Sequence, residues 1–258
     1  VYRPNFIPEN YGNLLFTVDW WQIREKNVIG ILPATSEIAL DYLLRLNGSY
    51  NPNVVRDPLN PSALTAISYI DELYVNLQPR LIEGVDFAID YDLDDTPLGD
   101  FRVKVNVAKF LTFDQAPGEI EKQLIAAIDA GTLVGPTVAS AGNQIKIDGT
   151  PEYRATASLT WRKDGWGAGV FVNYVGAMYD TGPAQVGGKY FEIEEWTTVN
   201  LYGQYSWREG ILDDTTARIG VRNIEDKDPP LASNNFGYLG SYHSSTGRFL
   251  YATVSKRF

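Results

Sequence analysis

The chain has 258 residues, 44% of them hydrophobic and 13% aromatic, with no cysteine and a formal charge of −10. That length suits one large or two modest domains, and the acidic balance sets nucleic acid aside as a partner, because nucleic-acid recognition starts from a basic surface. Without cysteine there is no disulfide framework, thiolate nucleophile or Cys-based zinc site, and with a single histidine, His243, no multi-histidine metal centre or conventional triad can be assembled. The expectation is a non-enzyme with no catalytic residue, no metal site and no cofactor.

The N-terminus, Val1-Tyr2-Arg3-Pro4, has neither a start Met nor a signal segment, so a mature product or a fragment is expected. No apolar run approaches the roughly 18 residues a spanning helix needs; Ile29 to Pro33 is among the longest. The first strand pattern sets Leu14, Phe16, Val18 and Trp20 against Asn13, Thr17 and Asp19. In Thr35 to Leu46 the apolar residues Ile38, Tyr42, Leu43 and Leu46 recur at helical spacing before Gly48. Next, Val85, Phe87, Ile89 and Tyr91 pair with Phe101, Val103, Val105 and Val107 across a turn expected over Asp92 to Asp100. A second helix is expected in Gly118 to Gly131, with Glu119 and Glu121 in its first turn, where carboxylates favour the helix dipole.

Alternation is cleanest in Tyr153 to Arg162: Tyr153, Ala155, Ala157, Leu159 and Trp161 face one way, with Arg154, Thr156, Ser158, Thr160 and Arg162 on the other side. Across Lys163-Asp164-Gly165 it resumes with Trp166, Ala168, Val170, Val172 and Tyr174, which reads as a β-hairpin. Thr197 to Trp207 and Ala217 to Arg222 form another hairpin, and a last strand runs from about Gly247 to Phe258.

Connections alternate in length. Gly30 to Asp71, Asp114 to Thr150, Asp180 to Glu195 and Glu225 to Thr246 are long; the others are short and fall on one side, Pro4 to Asn10 among them. That is the pattern of external loops and periplasmic turns in a transmembrane β-barrel. Tyr91, Phe101, Trp161, Trp166, Trp207 and Phe258 form one aromatic rim, and Trp20, Tyr153 and Tyr174 the other. Eight residues at a 40° tilt separate the rims by about 20 Å, which suits an apolar band of roughly 25 Å.

Ala217-Arg218-Ile219-Gly220-Val221-Arg222-Asn223 leading into Asp226-Lys227-Asp228-Pro229-Pro230 resembles the penultimate strand and following loop of TonB-dependent outer-membrane receptors. Gly247 to Phe258 resembles the family's last strand, and Thr17 to Ile23 and Glu83 to Phe87 resemble segments common in it. The resemblance implies an all-β fold, a transmembrane antiparallel barrel of 22 strands of which residues 1–258 supply the C-terminal eight or nine, with short helices in external loops. It implies a bacterial outer-membrane location amid lipid and lipopolysaccharide, with the N-terminal plug domain, the segment that contacts TonB and its inner-membrane energising complex, and the earlier strands all outside this chain. The implied function is TonB-dependent uptake of a bulky nutrient: a ferric siderophore first, then an oligosaccharide or other large nutrient. It also implies that Phe258 belongs to the segment read by the barrel-insertion machinery. The alternative is a small self-contained barrel acting as an anchor or adhesin.

The cations Arg102, Lys104, Arg154, Arg162, Arg218 and Arg222 fall on lumen faces and need anionic partners or water; plug carboxylates are the expected partners and an anionic ligand the functional alternative. The loop aromatics Tyr179, Tyr190, Phe191, Phe236, Tyr238 and Tyr242 could stack on a ligand ring, against packing among the loops themselves. His243 is expected to be a solvated loop residue, with ligand contact the sharper alternative. Asp94-Asp95, Glu194-Glu195 and Asp213-Asp214 read as solvated turn carboxylates, with cation bridging to lipopolysaccharide an option for Glu192 and its neighbours.

Overall fold

The computed structural model describes residues 2, 11–59, 66–134, 138, 141–182, 190–234 and 236–257. Phe258, all of Pro4 to Asn10, and Val1 lie outside the described residues. Eight long antiparallel strands form the sheet: β1 (Asn13–Glu25), β2 (Arg80–Thr96), β3 (Gly99–Gln115), β4 (Tyr153–Lys163), β5 (Trp166–Val175), β6 (Trp196–Ser206), β7 (Thr215–Arg222) and β8 (Phe249–Lys256). They pair in chain order as a meander, and a ninth, two-residue strand at Gly142–Asn143 adds to the end of β3. Among the described residues β1 and β8 do not pair with each other, so the sheet is an open arc.

The cross-strand register confirms the alternation. One row of partners, Leu14, Tyr91, Val103, Leu159, Val170, Leu201, Val221 and Leu250, is apolar on all eight strands. A row on the opposite face runs Thr17, Ala88, Asn106, Thr156, Asn173, Thr198 and is almost wholly polar. The apolar face is not a core: Ile219, Leu250 and Val254 are 67, 72 and 75% exposed. A water-soluble sheet would cover such a face, whereas a barrel wall presents it to lipid.

The Asp164-Gly165 turn has φ of 48° and 88°, the paired left-handed geometry of a tight hairpin whose twist matches its strands. The β2–β3 turn differs from expectation. It is only Pro97-Leu98, because Asp90, Asp92 and Asp94 do not break the strand; they are the polar half of an alternation with Ile89, Tyr91 and Leu93, and β2 and β3 run 17 residues each. At about 3.4 Å per residue they are over 50 Å long and extend beyond the apolar band.

The helices appear where helical periodicity placed them, as α1 (Ala34–Leu46) and α2 (Glu119–Asp129). The first starts after Pro33, so Thr35 and Ser36 lie inside its first turn, not at its start. The long connections also hold two-stranded ribbons, Val28–Ile31 with Tyr74–Leu77, Val54–Arg56 with Ile67–Ile70, and Met178–Asp180 with Phe191–Ile193. The buried apolar residues sit mainly in these external parts, Leu32, Leu40, Val54 and Leu124 in the first two connections and Met178, Ile193 and Ala232 beside Val175 in the last two. Under α1, the fully buried Asp41 carboxylate accepts from Arg45 Nε at 2.8 Å, Arg56 Nη2 at 2.5 Å and the Asn51 backbone N–H at 3.0 Å. Burial pushes this carboxyl up, but the hydrogen bonds from Arg45, Arg56 and Asn51 together outweigh it and hold it below its ordinary range.

Candidate functional site

The concave polar face and the connection 223–248, which folds across it, enclose a cavity of about 900 Å³. Strands β1 to β6 supply one side of it with Asp19, Asp86, Asn106, Arg154, Thr156, Asn173 and Trp196, and the connection supplies Tyr242, Ser244 and Thr246. Alternation explains the strand set, since each of these residues has the parity of the polar row.

Three contacts hold the connection over the wall. The Trp196 indole N–H donates to the Asp228 carbonyl at 3.1 Å, Arg154 lies over the Tyr242 ring at 5.1 Å, and His243 meets Trp196 edge-on with centroids 5.4 Å apart. Asp180 adds a fourth tie between loops, accepting from Ser233 Oγ at 2.8 Å and the Ser233 backbone N–H at 2.5 Å. Tyr242 and Leu239 pack on Val175, Met178, Ile193 and Ala232, so the last two external connections share one small apolar core.

His243 is therefore not solvated. Only 5% of it is exposed, and neither ring nitrogen has a hydrogen-bond partner among the described residues. Burial pushes its pKa below the ordinary histidine value and favours the neutral ring. The loop peptide supplies the rest of its seating, through its backbone N–H to Leu239 O at 2.9 Å.

Of the seven expected loop residues, Tyr242 alone lines the cavity, with His243 packed behind it. Tyr179 and Phe191 lie on the external ribbon and Tyr190 just before it; Phe236 is 81% exposed, and Tyr238 is within 3.0 Å of Ser245. These five do not converge with Tyr242 on the cavity.

The six lumen cations all take the polar parity, and most meet partners within the wall. Arg102 pairs with Asp92, and Lys104 with Asp90 at 2.8 Å. Arg218 lies over the Tyr202 ring at 4.5 Å and donates to Gln204 Oε1, Arg222 lies 5.6 Å from the Tyr251 ring, and Arg154 takes Tyr242. Arg162 lines a smaller pocket of about 420 Å³ at the short-turn end, beside Asp100 and Arg208. Tyr202 and Tyr251 can lie flat because Gly169 and Gly220 stand beneath them; a Cβ at either glycine would overlap the ring.

Sequence reasoning missed Trp196 and Trp21. Both carry the polar parity, and an aromatic side chain among lumen-facing residues is the signal that could have found them. Trp21 packs on Gly84 and donates to Asp86 Oδ2 at 3.2 Å, and it meets Phe110 edge-on at 5.9 Å.

A family model described as TonB-dependent receptor-like β-barrel matches residues 7–224. The chain belongs to the TonB-dependent receptor β-barrel family. This is a family of outer-membrane receptors and transporters, not of enzymes. Among solved structures the chain is similar to a ferric enterobactin receptor mutant from Pseudomonas aeruginosa in complex with enterobactin (16% identity, TM-score 0.52, covering 93% of this chain and 29% of that one). It is also similar to the siderophore receptor PirA from Acinetobacter baumannii (14%, 0.51, 96% and 30%) and to the ferric-catecholate import receptor Fiu from E. coli K12 (14%, 0.50, 98% and 26%). At these identities the likeness shows the shared barrel fold. The chain spans between about a quarter and a third of the length of these TonB-dependent receptors. No curated protein sequence matches it.

Proposed function

We propose that this chain is the closing arc of a TonB-dependent transporter that carries a bulky nutrient, foremost a ferric siderophore, across the outer membrane. The observation that carries this reading is the 900 Å³ cavity between the lumen wall and the folded-in connection, on the side of the sheet where the long connections gather. A site there meets cargo arriving from outside, and Arg154, Tyr242 and Trp196 offer it a cation and aromatic faces, the groups that recognise an anionic, ring-bearing chelate. The structural neighbours named for siderophores or ferric catecholates support that cargo before an oligosaccharide. The open arc supports a barrel larger than eight strands, with the plug domain, the TonB-contacting segment and further strands outside this chain, and it tells against a small anchor or adhesin barrel.

The test is accumulation of radioiron chelates by a strain lacking the gene, by its complemented parent, and by the parent without TonB. Uptake restored by the gene and abolished without TonB is expected for at least one chelate. Equal accumulation of iron chelates, oligosaccharides and other candidate nutrients in all three strains would overturn the reading.

A further inference from the structure

We infer that the pocket at the short-turn end of the wall is a binding site for the zwitterionic headgroup of a membrane phospholipid, one that carries an ammonium beside its phosphate diester. The inference rests on the reading that the sheet is an outer-membrane barrel wall and is independent of the cargo. At about 420 Å³ the pocket falls among small-molecule sites, which span about 300–1,000 Å³. The register makes the room. Arg162, Gly167 and Gln204 are successive cross-strand partners on the lumen face, so a position without a side chain stands between two long ones. A Cβ at Gly167 would come within 3.0 Å of Gln204 Cγ.

The pocket brings together the cations Arg162, Lys163 and Arg208 and the carboxylates Asp100 and Asp164. Among the described residues no salt bridge joins any of these five. Lys163 Nζ donates to Pro97 O at 2.7 Å, and Asp100 accepts the Asp95 N–H at 2.9 Å. Arg162, Arg208 and Asp164 keep uncompensated charge. Gln204 Oε1 already accepts from Arg218, so what its amide still offers a ligand is the NH2 donor. Two guanidiniums and an amide donor suit phosphate oxygens, for which the guanidinium fork is matched. The carboxylate of Asp164 suits an ammonium, and a bare phosphate ion would meet it as a like charge.

Placement selects the source. On the opposite face of the same strand ends Trp166, Tyr205 and Trp207 form a continuous aromatic cluster, with successive ring centroids 4.8 and 5.1 Å apart, and Trp166 is 59% exposed. Aromatic rings of this kind mark the headgroup level of a bilayer. Lys163 and Trp166 are cross-strand partners on the lipid face, and the turn between them is the lip where the wall ends. A lipid whose chains lie along Trp166 folds its headgroup over that lip toward Arg162 and Arg208.

The test is native mass spectrometry of the purified, delipidated full-length receptor with phosphatidylethanolamine or phosphatidylglycerol added at equal concentration. The parent should retain phosphatidylethanolamine several-fold better than phosphatidylglycerol, and excess inorganic phosphate should not displace it. A variant carrying Arg162→Gln and Arg208→Gln should lose that retention several-fold, while Asp164→Asn should bind both lipids and no longer prefer one. Equal retention of the two lipids by the parent, unchanged retention in the arginine variant, or displacement by inorganic phosphate would overturn the inference. If the arginine variant does not fold, the unsubstituted receptor decides: phosphatidylethanolamine with a photoreactive headgroup should label residues 162–167 or 204–208, and labelling that misses both segments refutes the site. No uptake is measured, so the outcome is separable from that of the transport reading.

Discussion

Val170 lies in the apolar row that crosses all eight strands, four residues from Trp166 at one rim and four from Tyr174 at the other. Four residues rise about 13 Å along the strand, or about 10 Å along the membrane normal at a 40° tilt. That puts Val170 at the middle of the band, beyond the reach of an arginine side chain to either interface. Val170→Arg should therefore carry the full midplane cost, about 2–4 kcal/mol, or roughly 30- to 900-fold in the folding equilibrium. The next residue, Phe171, has lumen parity, so Phe171→Arg exchanges a ring for a cation in a polar wall and should cost much less. The assay is reversible folding of the full-length receptor into lipid vesicles across a urea series, comparing midpoints of the two variants with the parent. If Val170→Arg folds as well as the parent, or Phe171→Arg is the more damaging of the two, the assignment of faces is wrong.

His243 makes docking of the 223–248 connection pH-dependent. Its docked pKa is depressed below the ordinary 6.5, so above that value both docked and undocked forms are neutral and docking is at full strength. As pH falls below 6.5 the undocked ring takes a proton first and docking weakens, down through the docked pKa. Hydrogen exchange of the connection should accelerate between pH 7 and 5, and His243→Phe should remove that dependence; an unchanged slope in the variant would show that another group is responsible. Asp41 acts in the usual carboxylate sense: its depressed pKa contributes stability above about 3.8 that is lost as pH falls through the folded value. Removing one of its two cationic partners with Arg56→Met, Arg45 remaining, should cost about 1.5–3 kcal/mol locally, read as faster proteolysis within residues 26–79; undiminished resistance would refute a structural role for the pair. Gly220→Val should displace the Tyr251 ring and with it the seat of Arg222. A Tyr251 fluorescence or exchange signature identical to the parent would contradict that packing.

Much of the wall was legible because membrane barrels write their geometry in single-residue alternation. Tyr153 to Lys163 and Trp166 to Val175 needed no tertiary information, since one face had to suit lipid and the other water. The β2–β3 turn was misread because an acidic run looks like a loop in a soluble protein, while on a lumen face Asp90 and Asp92 are strand residues waiting for Lys104 and Arg102. Helical periodicity in 34–46 and 119–129 survived for the same reason as the strands, being local.

The site was less legible. Six loop aromatics and His243 were equivalent in sequence, and long-range packing singled out Tyr242 and buried His243, because both depend on Val175, Met178, Ile193 and Trp196, tens of residues away. Sequence alone determined which residues share each face of the sheet, since a period of two is fixed by the backbone. Only tertiary structure decided which lumen charges neutralise one another and which are held on tyrosine faces with their charge intact. That outcome depends on the register between strands, which places Asp19 opposite Asp86, and on glycines that leave room for a ring to lie flat.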